Sequence, residues 1–288
     1  MVSDTPLLKQ VRSLVSLANA EKWVYVLADQ SALPRIKSIW PWVSRLRWAS
    51  LLPSGVTQPD GATPLLMDVS NVASSDATAR ALDKLYAHGR WANCLSLLVS
   101  TQPVDRLTVS LSERTRAELP DHMTVLLRYF DTRTMPLLIR LLKPVQYAAF
   151  MDCAESWYFV DRLGSLQKMP VAESRQQSFV RYPPLVFDTA QERMLIDDGT
   201  TDAVIDQLLE QRHPAIAGTT PPQQYEMIFP LVNAASALKI DDMRDVFLYC
   251  CAALARGSHF ERLSPWSERL AWHRQGKMTL EEALTDAT

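Results

Sequence analysis

The sequence predicts a mixed α/β lobe over residues 1–165, a linker over 166–184 and an all-α lobe over 185–288. Its length of 288 residues corresponds to about two domains at roughly 150 residues each. Short apolar runs alternate with amphipathic helical stretches in the first part, whereas the last part has a helical period almost throughout. The stretch between them is rich in glutamine and proline, which is typical of a connecting segment.

The first lobe begins with a helix, since Thr5 can cap it and Pro6 is tolerated in its first turn. Runs rich in apolar, β-branched and aromatic residues then predict strands over 23–28, 46–52, 64–69, 94–100, 123–130 and 157–160. Further helices are predicted over 34–40, 77–88, 104–119 and 144–154, and after Asp131. This alternation indicates an α/β layer.

The second lobe is predicted to be helical over 189–196, 202–212, 222–237, 241–256, 264–275 and 279–286. Two acidic pairs, Asp197-Asp198 and Asp241-Asp242, precede predicted helices, where a carboxylate favours the positive end of the helix dipole. The last helix opens with Thr279 and Glu282, which form a capping box.

Charge is distributed unevenly along the chain. The formal net charge is −2, so the overall charge of the chain does not favour nucleic-acid binding. Residues 1–187 hold 21 basic and 16 acidic side chains, whereas residues 188–288 hold 9 basic and 16 acidic ones. The first part is therefore at +5 and the second at −7, which fits two lobes with different surfaces.

The common motifs of catalysis and cofactor binding are missing from the sequence. It has only 8 glycines and neither glycine-rich phosphate loop. It also lacks a G-x-S-x-G elbow, an H-E-x-x-H helix and a C-x-x-C pair. We therefore expect no catalytic residues, no cofactor and no metal site.

The cysteines and the N-terminus indicate where the protein works. Cys94, Cys153, Cys250 and Cys251 follow no disulfide or zinc pattern, which fits buried thiols in a reducing cytoplasm. The first 20 residues do not resemble a secretion leader, and no apolar run approaches the roughly 20 residues that span a bilayer. We expect a soluble, cytoplasmic protein without membrane insertion.

One segment combines cations with aromatic rings. Its members are Arg35, Lys37, Arg45, Arg47, Trp40, Trp42 and Trp48. Three interpretations stay open: core packing with cations at the edge, an aromatic anchor for a protein partner, or stacking with single-stranded nucleic acid. Trp266 and Trp272 in the acidic tail are further candidates for partner contacts.

The segment Leu127–Met135, LRYFDTRTM, resembles the LRFYDPR signature of a bacterial domain family once described only as of unknown function. Members of that family are understood as chaperones or adaptors of type VI secretion effectors. Residues 24–29, 62–69 and 94–100 are similar to the family's YALLD, GPYLV and GLLLLS strands. Thr132 stands where the family usually has proline, and Ala62 where it often has glycine.

The resemblance implies a non-enzymatic chaperone that binds the N-terminal region of a toxic effector. It would keep the effector soluble and help place it on the VgrG spike, with no cofactor and no nucleic acid. Within the signature, Asp131 can cap a helix, while Arg128 and Arg133 can each pair with a carboxylate through a planar fork. These three residues are expected to maintain the lobe. The alternatives are an α/β enzyme with an unrecognised site and a single-stranded nucleic-acid binder.

Overall fold

The computed structural model describes residues 4–18, 21–33, 36–52, 63–172, 182 and 184–285. It has a mixed α/β part followed by a helical part, which confirms the predicted fold class. The chain divides into two compact units, Met1–Leu195 and Ile196–Thr288. Arg35 and Ala62, which the sequence analysis singled out, lie outside the described residues.

The first unit contains both sheets. Its strands are β1 (Trp23–Asp29), β2 (Arg47–Ser50), β3 (Pro64–Asp68), β4 (Leu95–Ser100), β5 (Arg116–Glu118), β6 (Thr124–Leu126), β7 (Ser156–Val160), β8 (Leu166–Lys168) and β9 (Leu185–Val186). Its helices are α1 (Pro6–Leu17), α2 (Ile36–Val43), α3 (Asp76–Gly89), α4 (Val104–Glu113), α5 (Met135–Leu141) and α6 (Pro144–Met151).

The main sheet has the order β2-β3-β1-β4-β7-β8, and each neighbouring pair is antiparallel. The central strand β1 shows how it is buried. Val24, Val26 and Ala28 pack in one core cluster with residues of α1, α2 and α3, whereas Tyr25 and Leu27 pack in a second cluster with residues of α4, α5 and α6. Because successive side chains point to opposite faces, a strand covered on both sides is apolar throughout.

The prediction of one strand over 123–130 is wrong, because only Thr124–Leu126 forms a strand, β6. This strand belongs to a separate small sheet with the order β6-β5-β9. Tyr129 and Phe130 are consecutive and both buried, which an alternating strand covered on one face cannot achieve. The chain turns at these two residues instead of continuing through the main sheet.

The helix predicted over 104–119 ends early, since α4 stops at Glu113 and β5 follows. Arg114 explains the change of direction. Its side chain is almost fully buried and donates hydrogen bonds to the backbone oxygens of Phe150 and Ala149 at the end of α6. The same guanidinium also donates to the backbone oxygen and the hydroxyl of Ser110 in the last turn of α4, so it joins the end of α4 to the end of α6.

The predicted linker over 166–184 begins inside the main sheet, because Leu166–Lys168 forms β8 and pairs with β7. The Asp161 carboxylate makes this hairpin possible, since it accepts hydrogen bonds from the amides of Leu163 and Ser165. Gly164 supplies the positive φ of 76° in the turn. Residues 173–181 and 183 of the predicted linker lie outside the described part of the chain.

A single helix, α7 (Thr189–Glu210), occupies the region where two helices were predicted, and the division into units falls within it. Asp197 and Asp198 are therefore inside a helix, and their predicted capping role is wrong. The sequence indicates a break because Gly199 and two threonines interrupt the helical pattern. Packing overrides this weak preference, since Val204 and Leu208 of the next turns are fully buried.

The second unit continues with α8 (Pro221–Ala237), α9 (Met243–Arg256), α10 (Trp266–Arg274) and α11 (Leu280–Leu284). Two predicted caps are confirmed. The Asp242 carboxylate accepts hydrogen bonds from the amides of Arg244 and Asp245 at the start of α9. Thr279 and Glu282 form the capping box of α11.

Candidate functional site

The first candidate region is the corner where residues 127–133 meet the end of β1, called the signature corner below. Asp131 is the N-cap of a short 3₁₀ turn that leads into α5, and its carboxylate accepts a hydrogen bond from the amide of Arg133 at 3.1 Å. The Arg133 guanidinium closes on the same carboxylate, with Nη2 donating to Oδ2 at 2.6 Å and Nε donating to Oδ1 at 2.9 Å. Asp131 and Arg133 thus form one local pair.

Arg128 pairs elsewhere. Its Nη2 donates to Oδ2 of Asp29, the last residue of β1, at 2.8 Å. The Asp29 side chain is 1% exposed and that of Arg128 is 47% exposed, so a half-exposed cation covers a buried carboxylate. The other oxygen of Asp29 accepts hydrogen bonds from the amide and the hydroxyl of Ser31.

Sequence reasoning did not name Asp29 as a partner, because it precedes Arg128 by 99 positions. A signal for it was present, however. Asp29 ends the strand that is similar to the family's YALLD strand, and Arg128 belongs to the signature. Two motifs that carry the resemblance are therefore joined by one ion pair.

Thr132 fixes the signature corner to the main sheet. Its amide donates to the backbone oxygen of Asn93 at 2.7 Å, and its hydroxyl donates to the backbone oxygen of Val160 at 2.6 Å. A proline at this position, as the family usually has, could make neither bond because it lacks an N–H and a hydroxyl. The departure from the family pattern thus adds two hydrogen bonds to the corner.

Cys94 lies beside the signature corner, where its backbone oxygen accepts a hydrogen bond from the amide of Asp29. Burial raises the pKa of the Cys94 thiol well above its usual range, and the negative charges of Asp29 and Asp131 raise it further. The thiol is therefore protonated at neutral pH. The signature corner thus joins the end of β1, the start of β4 and the end of β7 to the segment that leads into α5. Both of its carboxylates, those of Asp29 and Asp131, form ion pairs with arginines.

The second candidate region is the tryptophan surface, defined by Trp40, Trp42 and Trp48. All three side chains are half-buried and pack against the core cluster on the α1–α3 face of the main sheet. Trp40 and Trp48 meet edge to face, with ring centroids 5.4 Å apart. The rings thus serve as core on one side and remain accessible on the other.

Two arginines flank the ring of Trp42. The guanidinium carbon of Arg45 lies 5.5 Å from the ring centroid, and that of Arg80 on α3 lies 6.0 Å from it. Both distances fall within the range of cation–π contacts. Arg47 is different, because it pairs with Asp105 on α4.

Residues 8–149 match the model of the family DUF4123, described as a domain of unknown function. The match covers slightly under half of the chain. It includes the whole signature corner and the tryptophan surface. No curated protein and no solved structure matches the chain.

Outside the DUF4123 match, the two tryptophans of the second unit differ in exposure. Trp266 is half-buried, with its ring centroid 6.1 Å from that of Phe260 and 5.2 Å from the guanidinium carbon of Arg256. Trp272 is 44% exposed. Trp266 is thus mainly a core residue, whereas Trp272 is accessible to a partner.

The remaining candidates for reactivity in the described part of the chain are the thiols and clusters of possible metal ligands. Burial raises the pKa of all four cysteine thiols, that of Cys250 to about 12. Among the described residues, no group of three or more His, Cys, Asp or Glu side chains could hold a metal ion. Across the same ranges, no helix combines the length and the apolarity needed to cross a membrane.

Proposed function

We propose that this protein is a non-enzymatic adaptor that binds a toxic effector of a type VI secretion system. The DUF4123 match over residues 8–149 carries the proposal, because that family is associated with adaptors of such effectors. The pairing of Asp29 with Arg128 supports it further, since it joins two of the motifs in which the chain resembles the family.

The proposed mechanism is the shielding of an effector segment before export. The protein binds the N-terminal region of its effector in the cytoplasm and covers apolar surface that would otherwise cause aggregation. A partner that binds only the soluble form stabilises it by mass action, so no nucleotide is required. The complex then delivers the effector to the VgrG spike.

Co-expression with the product of a neighbouring toxin gene tests this proposal. The full chain carries an affinity tag, and the effector is made either whole or without its N-terminal region. We expect the whole effector to become soluble and to co-purify with the tagged chain. The truncated effector is the matched control, and we expect that it does not co-purify with the tagged chain.

Two results would contradict the proposal. One is that no effector encoded nearby co-purifies with the chain or gains solubility from it. The other is that the truncated effector co-purifies as well as the whole one, which would reject the N-terminal region as the target.

A further inference from the structure

The ring of Trp42 orients two guanidinium groups. A guanidinium that lies over an aromatic ring uses its face for that contact, and its N–H donors point outward in its plane. The Arg45 side chain makes no hydrogen bond in the described structure, and the Arg80 side chain donates only from Nε, to the backbone oxygen of Asp76. The Nη groups of both side chains are therefore available to a partner.

Neither of these arginines has a carboxylate partner among the described residues. By contrast, Arg47, Arg128 and Arg133 each form an ion pair. Arg45 and Arg80 are both exposed, so their charged groups face solvent, and the nearest carboxylates along α3, those of Asp76 and Asp83, lie about one helical turn from Arg80 without forming an ion pair with it.

Two further exposed cations lie on the helices that carry this surface. Lys37 on α2 and Lys84 on α3 are exposed, and Lys84 lies one helical turn from Arg80. The half-buried rings of Trp40, Trp42 and Trp48 supply rigid apolar area next to these cations. Aromatic rings with arginines at their edge are the composition that dominates hot spots of protein interfaces.

We propose that the tryptophan surface, together with Arg45 and Arg80, binds an acidic segment of a protein partner. Carboxylates of that segment accept paired hydrogen bonds from the two guanidinium groups, while its apolar side chains rest on the rings. This inference rests on the proposed function, because the partner is taken to be the effector. A protein fits better than nucleic acid, since the cations cluster around one ring and form no long track for a phosphate backbone.

Charge reversal tests the inference on the full chain. We measure by calorimetry, at two salt concentrations, the Kd of a synthetic peptide from the N-terminal region of the co-purifying effector for the wild type and for the double variant Arg45→Glu, Arg80→Glu. The matched control is Arg106→Glu, Arg116→Glu, which changes the net charge equally at two exposed arginines without a carboxylate partner among the described residues. Thermal melting reports whether each variant is folded, and Arg45→Gln, Arg80→Gln replaces the first variant if it is not.

We expect the Kd to rise at least about tenfold for the Arg45/Arg80 variant and to change less than about twofold for the control. The wild-type Kd should also rise more steeply with salt than that of the variant. If the wild type binds the effector and the variant binds equally well, this inference is wrong while the proposed function stands. If the wild type binds a short oligothymidylate more tightly than the effector, and the variant loses that binding, the surface serves nucleic acid and the inference is also wrong.

Discussion

Arg128 and Arg133 lie five positions apart in the signature and stabilise different parts of the lobe. Arg133 closes a local pair with Asp131, whose geometry follows directly from the sequence spacing. Arg128 instead reaches the end of β1, so its partner depends on the fold of the whole sheet. The sequence predicts that both arginines find carboxylates, but it identifies neither Asp29 nor the two bonds of Thr132, because these contacts are long-range.

Replacement of Arg128 tests the ion pair with Asp29. We expect Arg128→Met to lower the free energy of unfolding by about 1–2 kcal/mol, because it leaves the buried Asp29 carboxylate with one charge-assisted bond fewer. Half of the Arg128 side chain is exposed, so water replaces part of the interaction and limits the loss. Urea unfolding followed by circular dichroism measures the change.

The matched control is Arg106→Met, since Arg106 is exposed and has no carboxylate partner in the described structure. It should change the stability by less than about 0.5 kcal/mol. In the Asp29→Asn background, the effect of Arg128→Met should fall to less than half. An unchanged effect in that background would show that Arg128 stabilises the lobe through other contacts.

At the scale of elements, the strands that are buried on both faces are the ones that the sequence predicts well. The strands β1, β3 and β4 are mainly apolar and buried, and the sequence predicts each of them with bounds close to those observed. The short strands β5 and β6 lie in a partly exposed sheet and carry a weak pattern, so the sequence predicts part of a helix and part of a longer strand there. The buried Arg114 lies where the chain leaves α4, and its partners Phe150 and Ala149 are too far along the sequence for a local pattern to indicate them.

The helix α7 offers a test of an element that the sequence divided in two. Gly199 lies inside it, and a Cβ added there would meet no other atom within 4 Å. We expect Gly199→Ala to raise the free energy of unfolding by about 0.5–1 kcal/mol, since alanine favours the helix and restricts the unfolded chain. Urea unfolding of the full chain, followed by the helical signal, checks this.

Gly218 is the matched control, because a Cβ there also meets open space but the backbone φ is +74°. Gly218→Ala should lower the stability by about 1 kcal/mol, since a left-handed backbone is unfavourable for alanine. If Gly199→Ala is as destabilising as Gly218→Ala, residues 197–201 are not helical, and the prediction of two helices would be the better one.

At the scale of the whole molecule, the sequence predicts the order of an α/β part and a helical part, and the structure confirms it. The division between the units falls inside α7, after the end of the predicted linker. The glutamine- and proline-rich stretch that predicts the linker ends before the chain has finished packing on the first core. Met194 and Leu195 still contact that core.

Function is a property of the whole molecule that charge and composition alone could not specify. The signature and three strands resemble those of the family, and the DUF4123 match covers the same part of the chain. The cations around Trp42 then suggest the chemistry of the partner, because Arg45 and Arg80 have no carboxylate of their own in the described structure.

The most direct test of effector binding is the amount of soluble effector recovered with and without this protein. The whole effector is produced alone, with the tagged wild type and with an unrelated tagged protein at the same level. The soluble effector is quantified in all three cases, and the two co-expressed samples are then purified on the tag. We expect soluble effector only with the wild type, in a stable complex that elutes at one position from a sizing column. An effector that is equally soluble in all three cases and elutes apart from the tagged chain would contradict the account.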